Sequence, residues 1–310
     1  MGSSSFALPA LQRLFEDGHQ ITGVVTQPDK PSGRGQFIQS PPVKAKALEF
    51  HLPVYQPVSL KDDAARALFE ALEQEMIIVV AYGKIIPPWL LRLPRYGCVN
   101  LHGSLLPKYR GAAPIHWAIA NGETSTGVCT MQLDEGLDTG PVFLSEKTSI
   151  GPEETVVELS GRLAEMGSRL MVQTIAGILD GSLRPQAQDE ALATVAPILR
   201  KRHGWIDWRK SAESIHNQVR AFNPWPGTTT RFRGTTCKIL KTRKAGSAEA
   251  GTEPGMIVAS KRSLAVGCGD SVLLELIEVQ PENRRAVGGW EFANGARIQP
   301  GEKFEPVMDN

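Results

Sequence analysis

The strongest constraint on how this chain folds is a change of hydrophobic rhythm near residue 200. Upstream, short apolar runs alternate with segments of helical period. Met76-Ile77-Ile78-Val79-Val80 is apolar throughout, as expected of a strand covered on both faces in a parallel sheet. Further strands are expected over 21–26, 98–102, 128–133 and 142–150, and helices over 6–17, 43–50, 64–72, 115–120 and 153–179. This alternation predicts an α/β domain with a largely parallel sheet over residues 1–181. Residues 27–42 hold four prolines and two glycines and read as a loop without regular period. Residues 182–200 break the rhythm and read as a linker. Beyond them, one helix (211–222) precedes short strands at 228–233, 236–242, 255–259, 263–267 and 271–279. That spacing predicts a small β-barrel over 201–310, compatible with an OB-type nucleic-acid-binding fold. The 310-residue length suits two ordinary domains.

Charge divides at the same place. Formal net charge is only +1. Residues 201–310 nevertheless carry 17 Lys/Arg against 12 Asp/Glu, a net of +5, and the rest carries 17 against 21, a net of −4. Such asymmetry points to a polyanion partner for the basic half. The densest run contains Arg231, Arg233, Lys238, Lys241, Arg243 and Lys244 with no acid between them. The plain alternative is a solvated strand pair whose lysines protect its edges. The four cysteines (98, 129, 237 and 268) form no CxxC pair, which argues against a disulfide scaffold or zinc ribbon and favours a reducing cytosol. No apolar run reaches the ~18 residues of a membrane helix. The polar Met1-Gly2-Ser3-Ser4-Ser5 opening is not a signal peptide.

Chemistry is expected beyond the carboxyl ends of the first domain's strands. Asn100 and His102 are two apart, so in a strand they share one face at such an end. An amide beside an imidazole is suited to polarising a carbonyl and holding a developing oxyanion. Gly103 to Pro114 then forms a Gly/Pro-bracketed loop with two cations, Lys108 and Arg110. Asp134-Glu135-Gly136-Leu137-Asp138-Thr139-Gly140 reads as an acidic turn between two strands. From it, Asp138 either orients His102 and stabilises its cation or accepts the proton itself. Taken singly, a histidine such as His102 at a strand end is more often a structural residue, Asn100 reads as a turn cap and Asp138 as an Asx-turn residue. Position 6 of the acidic turn is Thr139, where a calcium loop needs glycine. No GxGxxG, P-loop, GxSxG or HExxH motif occurs.

Taken together, Asn100-x-His102, Ser104-Leu105-Leu106-Pro107-x-x-x-Gly111 and the later Asp138 resemble the signature of the folate-dependent formyltransferases. Thr26-Gln27-Pro28-Asp29-Lys30-Pro31-x-Gly33-Arg34-Gly35 is similar to the insertion loop of the family's methionyl-tRNA branch. Ile206-Asp207-Trp208 and Arg220 to Gly227 are similar to that branch's second domain. The resemblance implies a Rossmann-like formyltransferase domain followed by a small OB-like β-barrel that binds tRNA. It implies 10-formyltetrahydrofolate as donor and the α-amino group of methionyl initiator tRNA as acceptor. Carried over by motif, Asn100, His102 and Asp138 are catalytic, and Ser104, Leu105, Leu106 and Pro107 line the folate site. Arg34 lies near the aminoacyl end of the tRNA, and the six cations from Arg231 to Lys244 contact its phosphates. No metal is expected, because the donor carries the activated carbon. A cytoplasmic monomer is expected. The resemblance also implies a strand ahead of the Gly2-Ser3 turn. The chain opens at that turn, so the sheet's first strand is expected to be missing, as from a start codon placed too far downstream. The rival enzymes are an amino-sugar N-formyltransferase, distinguished by the Gln27–Gly35 loop and the basic second domain, and a formyltetrahydrofolate hydrolase. A glycinamide-ribonucleotide formyltransferase would lack residues 201–310. A catalytically dead RNA-binding protein would have no use for Asn100, His102 and Asp138 together.

Overall fold

A computed structural model describes residues 1–32, 37–260 and 262–307. The chain forms two units. Unit 1 comprises residues 1–114, 125–149 and 157–197; unit 2 comprises 115–124, 150–156 and 198–310. Two short excursions, at 115–124 and 150–156, therefore leave the first unit and join the second. Local periodicity has no means of signalling such crossings.

Unit 1 begins with α1 (Leu8–Glu16), β1 (Val24–Val25), β2 (Lys30–Ser32), β3 (Phe37–Gln39), α2 (Pro42–Glu49) and β4 (Val54–Tyr55). Next come α3 (Asp63–Ala71), β5 (Ile77–Val80), α4 (Pro88–Arg92), β6 (Cys98–His102) and β7 (Arg110–Gly111). After α5 (Pro114–Ala120), most of which belongs to unit 2, unit 1 continues with β8 (Ser125–Gln132), β9 (Val142–Ser149), α6 (Val156–Leu179) and β10 (Val195–Ala196). Asp62 caps α3, its carboxylate accepting from Ala65 N at 2.8 Å.

The main sheet has the order β5-β6-β8-β9. Only β5 and β6 are parallel; β6–β8 and β8–β9 are antiparallel. The sheet is thus mixed, not largely parallel. The acidic turn joins β8 directly to β9, and a turn that short cannot make the crossover that parallel strands need. β6 lies inside the sheet and all five of its residues are buried. α6 packs against it at Gly167, where a Cβ would sit 2.6 Å from Leu101 Cδ2. Within the 27–42 loop, β2 pairs antiparallel with β3.

Among the described strands β1 pairs with β4 alone, in parallel. Residues 1–3 span the gap from β1 to β5: Gly2 N donates to Val25 O at 3.0 Å and Val80 N to Met1 O at 2.9 Å. Behind them lies a cavity of about 570 Å³, lined by Leu11, Leu14, Val24, Phe69, Ile77 and Ile175 among others. It opens between the edges of β1 and β5.

In unit 2, α7 (Ala212–Phe222) precedes β11 (Thr228–Phe232), β12 (Thr235–Ser247), β13 (Ile257–Ala259), β14 (Leu264–Gly267), β15 (Val272–Pro281), β16 (Val287–Gly288) and α8 (Gly289–Gly295). The strands form one antiparallel sheet, β11-β12-β15-β14-β13, with β16 against β15. The core gathers Ile206, Trp208, Ile215, Ile239, Leu264 and Phe304. Among the described residues no ladder joins β11 to β13, so the sheet is not closed as a barrel. The C-terminal segment touches both edges through single bridges, Arg231 with Glu305 and Met256 with Lys303.

Candidate active site

β6 fixes the first two groups. It pairs on both sides, so its side chains alternate strictly, and Asn100 and His102 point the same way. Both are buried. His102 Nε2 lies 2.9 Å from Tyr109 O. A carbonyl only accepts, so this nitrogen carries a proton. On the other side of the ring, Nδ1 faces Asp138 Oδ2 at 3.6 Å. The ring thus lies between a carbonyl and a carboxylate. Asn100 is placed differently: no hydrogen bond ties its side-chain amide to the described residues.

Asp138 is held from two directions. Gly111 N donates to its Oδ2 at 2.8 Å. Its backbone, at φ 52°, occupies the left-handed region, which is costly for a non-glycine residue unless neighbours hold it. Gln188 does so, its Nε2 donating to Asp138 O at 2.8 Å and to Gly140 O at 2.7 Å. The Asx turn at this loop belongs to Asp134, which accepts from Gly136 N at 3.0 Å. Tyr109, whose carbonyl faces His102, also has positive φ, 62°. Its amide donates to Thr194 Oγ1 at 2.9 Å.

The segment read as a linker therefore packs onto the 104–111 loop. β10 pairs with β7 in parallel. Arg110 is buried and forks onto Glu190 at 2.7 and 2.9 Å and onto Gln188 Oε1 at 2.9 and 3.1 Å. The guanidinium holds the Glu190 carboxyl below the usual range. Gln188, Glu190 and Thr194 were not legible as site residues, because they follow no period and match no motif.

Ser104 is fully buried, and its hydroxyl donates to Lys108 O at 2.6 Å, closing the turn. Leu105 packs against Gly127, where a Cβ would stand 2.5 Å from Leu105 Cδ2. Leu106 N approaches Cys129 Sγ at 3.4 Å, and Pro107 O accepts from Thr194 N at 3.2 Å. Burial pushes the Cys129 thiol up to about 11, so it is a protonated packing group, not a nucleophile. Among the described residues no three His, Cys, Asp or Glu side chains gather as a metal site. No helix there is long and apolar enough to cross a membrane.

The basic run of unit 2 is less uniform in space than in sequence. Arg233 pairs bidentately with Glu302 at 2.7 and 2.8 Å. Arg243 reaches Glu275 at 2.7 Å and Lys244 reaches Glu213 at 3.7 Å. Arg231, Lys238 and Lys241 make no such pair among the described residues. Arg231 and Lys238 share the outer face of the β11–β12 pair, since their neighbours Phe232, Cys237 and Ile239 point into the core. Arg34 lies outside the described residues.

Compared with known proteins, residues 1–175 match the family "Formyl transferase" and residues 198–297 match "Formyl transferase, C-terminal domain". The chain belongs to the formyl transferase family. It is 49% identical to the methionyl-tRNA formyltransferase of Acidobacterium capsulatum over 96% of each chain. It is 45% identical to that of Solibacter usitatus, over 98% of this chain and 97% of the relative. Among solved structures, the fold is similar to WlaRD, a sugar 3N-formyl transferase determined in the presence of dTDP and 5-N-formyl-THF. The TM-score is 0.66 at 18% identity, over 92% of this chain and 97% of that one.

Proposed function

We propose that the chain transfers the formyl group of 10-formyltetrahydrofolate to the α-amino group of methionyl initiator tRNA. The observation that carries this reading is the near-full-length similarity, 45–49% identical, to methionyl-tRNA formyltransferases. The grouping of Asn100, His102 and Asp138 at the end of β6 supports it.

The geometry supports the following roles. The neutral amine attacks the formyl carbon; a carbon–nitrogen bond forms and the carbonyl electrons move onto oxygen. Asn100, with its amide uncommitted, donates to that oxyanion. His102, in its cationic form, adds a positive charge beside it, with acceptors facing its two nitrogens. Asp138 holds the charged ring and takes the amine's proton, directly or through water. Collapse breaks the bond from the formyl carbon to the folate nitrogen, which leaves with a proton. Ser104 shapes the folate pocket through its turn, and Leu105, Leu106 and Pro107 supply its wall. In this reading residues 1–181 catalyse, 182–200 brace the 104–111 loop on the way to the second domain, and 201–310 are an OB-like domain with an open sheet that binds tRNA through Arg231, Lys238 and Lys241 and the more constrained Arg233, Arg243 and Lys244. Arg34 meets the aminoacyl end. The enzyme is a cytoplasmic monomer.

The test is a formyl-transfer assay with 10-formyltetrahydrofolate, offering methionyl initiator tRNA, a nucleotide-linked amino sugar or water as acceptor. Formylation of the tRNA that vanishes in His102→Ala is expected. Turnover of the sugar alone would overturn the assignment.

A further inference from the structure

We propose that Gln188 is a positioning residue for this chemistry, holding Asp138 in register with His102. Its carboxamide is used completely. Both N–H groups go to the acidic turn, at Asp138 O and Gly140 O, and its oxygen accepts twice from Arg110. Arg110 in turn is clamped by Glu190 and sits one residue before Gly111, whose amide holds the Asp138 carboxylate. The ring closes on itself: Gln188 fixes the backbone of Asp138, and Arg110 ties Gln188 to the strand whose amide fixes the side chain. Without the Gln188 donors, Asp138 has less to keep it at φ 52°. Relaxation to an ordinary backbone angle swings the carboxylate away from both Gly111 N and His102 Nδ1. A displacement of about 1 Å in a reacting group costs up to ~10²-fold in rate.

This inference rests on the proposed reaction, so its test includes a readout independent of turnover. Gln188→Met keeps the length of the side chain and removes its hydrogen bonds. We expect kcat to fall about 10- to 100-fold with KM for tRNA and folate within about twofold, as for a loss confined to the transition state. In an Asp138→Asn background the same substitution should cost little more, because Gln188 acts through Asp138. Amide exchange at Gly111, followed by NMR, should accelerate in Gln188→Met relative to other β-sheet amides of unit 1. If Gln188→Met does not fold, Gln188→Glu carries the test. Its carboxylate still accepts from Arg110 and keeps the 182–197 segment attached, but it faces two carbonyl oxygens with no donor. An unchanged kcat, an equal loss in both backgrounds, or unchanged Gly111 exchange in a folded variant would overturn the proposal. If the wild-type protein formylates no tRNA, the proposed function fails instead, and Gly111 exchange still decides the positioning role.

Discussion

The end of β6 and the outer face of β11–β12 both carry polar groups that the sequence singled out, yet they are built in opposite ways. Around His102 nearly every group is committed: ring, carboxylate, turn carbonyls and guanidinium each have named partners, and Asn100 is the exception. Of the six cations from Arg231 to Lys244, three are paired and three make no ion pair among the described residues. A buried site gains from fixed geometry, because dipoles held in place cost no reorganisation during reaction. A surface that meets phosphates gains from mobile charge, because such binding is driven by counterion release and tolerates inexact geometry. The contrast predicts that substitutions in the first region change rates and those in the second change affinities.

Asn100→Ala probes this division most severely. Loss of one oxyanion donor typically lowers kcat by ~10²–10³, and KM for tRNA should hardly move. Steady-state kinetics check it; a raised KM with normal kcat would break the comparison. A smaller effect is expected from replacing Arg231, Lys238 and Lys241 together by alanine. Affinity for tRNA should fall at low salt, and the slope of log affinity against log salt should shrink by roughly two to three, given ~0.7–0.9 per phosphate contact. The rate at saturating tRNA should stay near wild type. Arg233→Ala, which also breaks a pair with Glu302, should alter the slope less than Lys238→Ala. Filter binding across a salt series separates these outcomes.

The two regions also differ in how readable they were. The apolar run of β5, the Asn100-x-His102 spacing and the acidic turn are local patterns, and the structure places them as that reading required. What stayed hidden depends on pairings distant in sequence. Nothing near Gln188 tells that its amide reaches Asp138, 50 residues away. Nothing in β8 itself tells that it runs antiparallel to β6. The cations from Arg231 to Lys244 look equivalent on paper because Glu275 and Glu302, which neutralise two of them, come from elsewhere in the chain. Composition located the basic surface but not which of its charges are free.

The gentlest probe of the comparison is pH. His102 faces a carboxylate, whereas burial pushes His116, His203 and His216, all in unit 2, below the ordinary histidine value. Arg200 and Arg202 add to the effect at His203. At His216, Arg220 and Lys244 add to it and Glu153 opposes it. His203 Nδ1 accepts from Arg200 N at 3.0 Å, a bond that protonation abolishes. A base whose pKa is lower in the folded state binds more protons when unfolded, so its contribution to stability is complete above about pH 6.5 and is lost as pH falls below it. The carboxylates held low by their partners, such as Asp207 and Glu302, act in the same sense but only at more acid pH. The Met1 amine, pushed down to about 6 by burial, also acts in that sense between pH 6 and 8, but it lies in unit 1. Five of the six tryptophans are in unit 2, so urea unfolding followed by tryptophan fluorescence reports chiefly on that unit. Its midpoint should fall on going from pH 7.5 to 5.5, and His203→Asn, with no imidazole to protonate, should narrow the fall. A midpoint that holds or rises on acidification would show that the unit 2 histidines are as well matched to charge as His102, and the contrast between the regions would lose its electrostatic half.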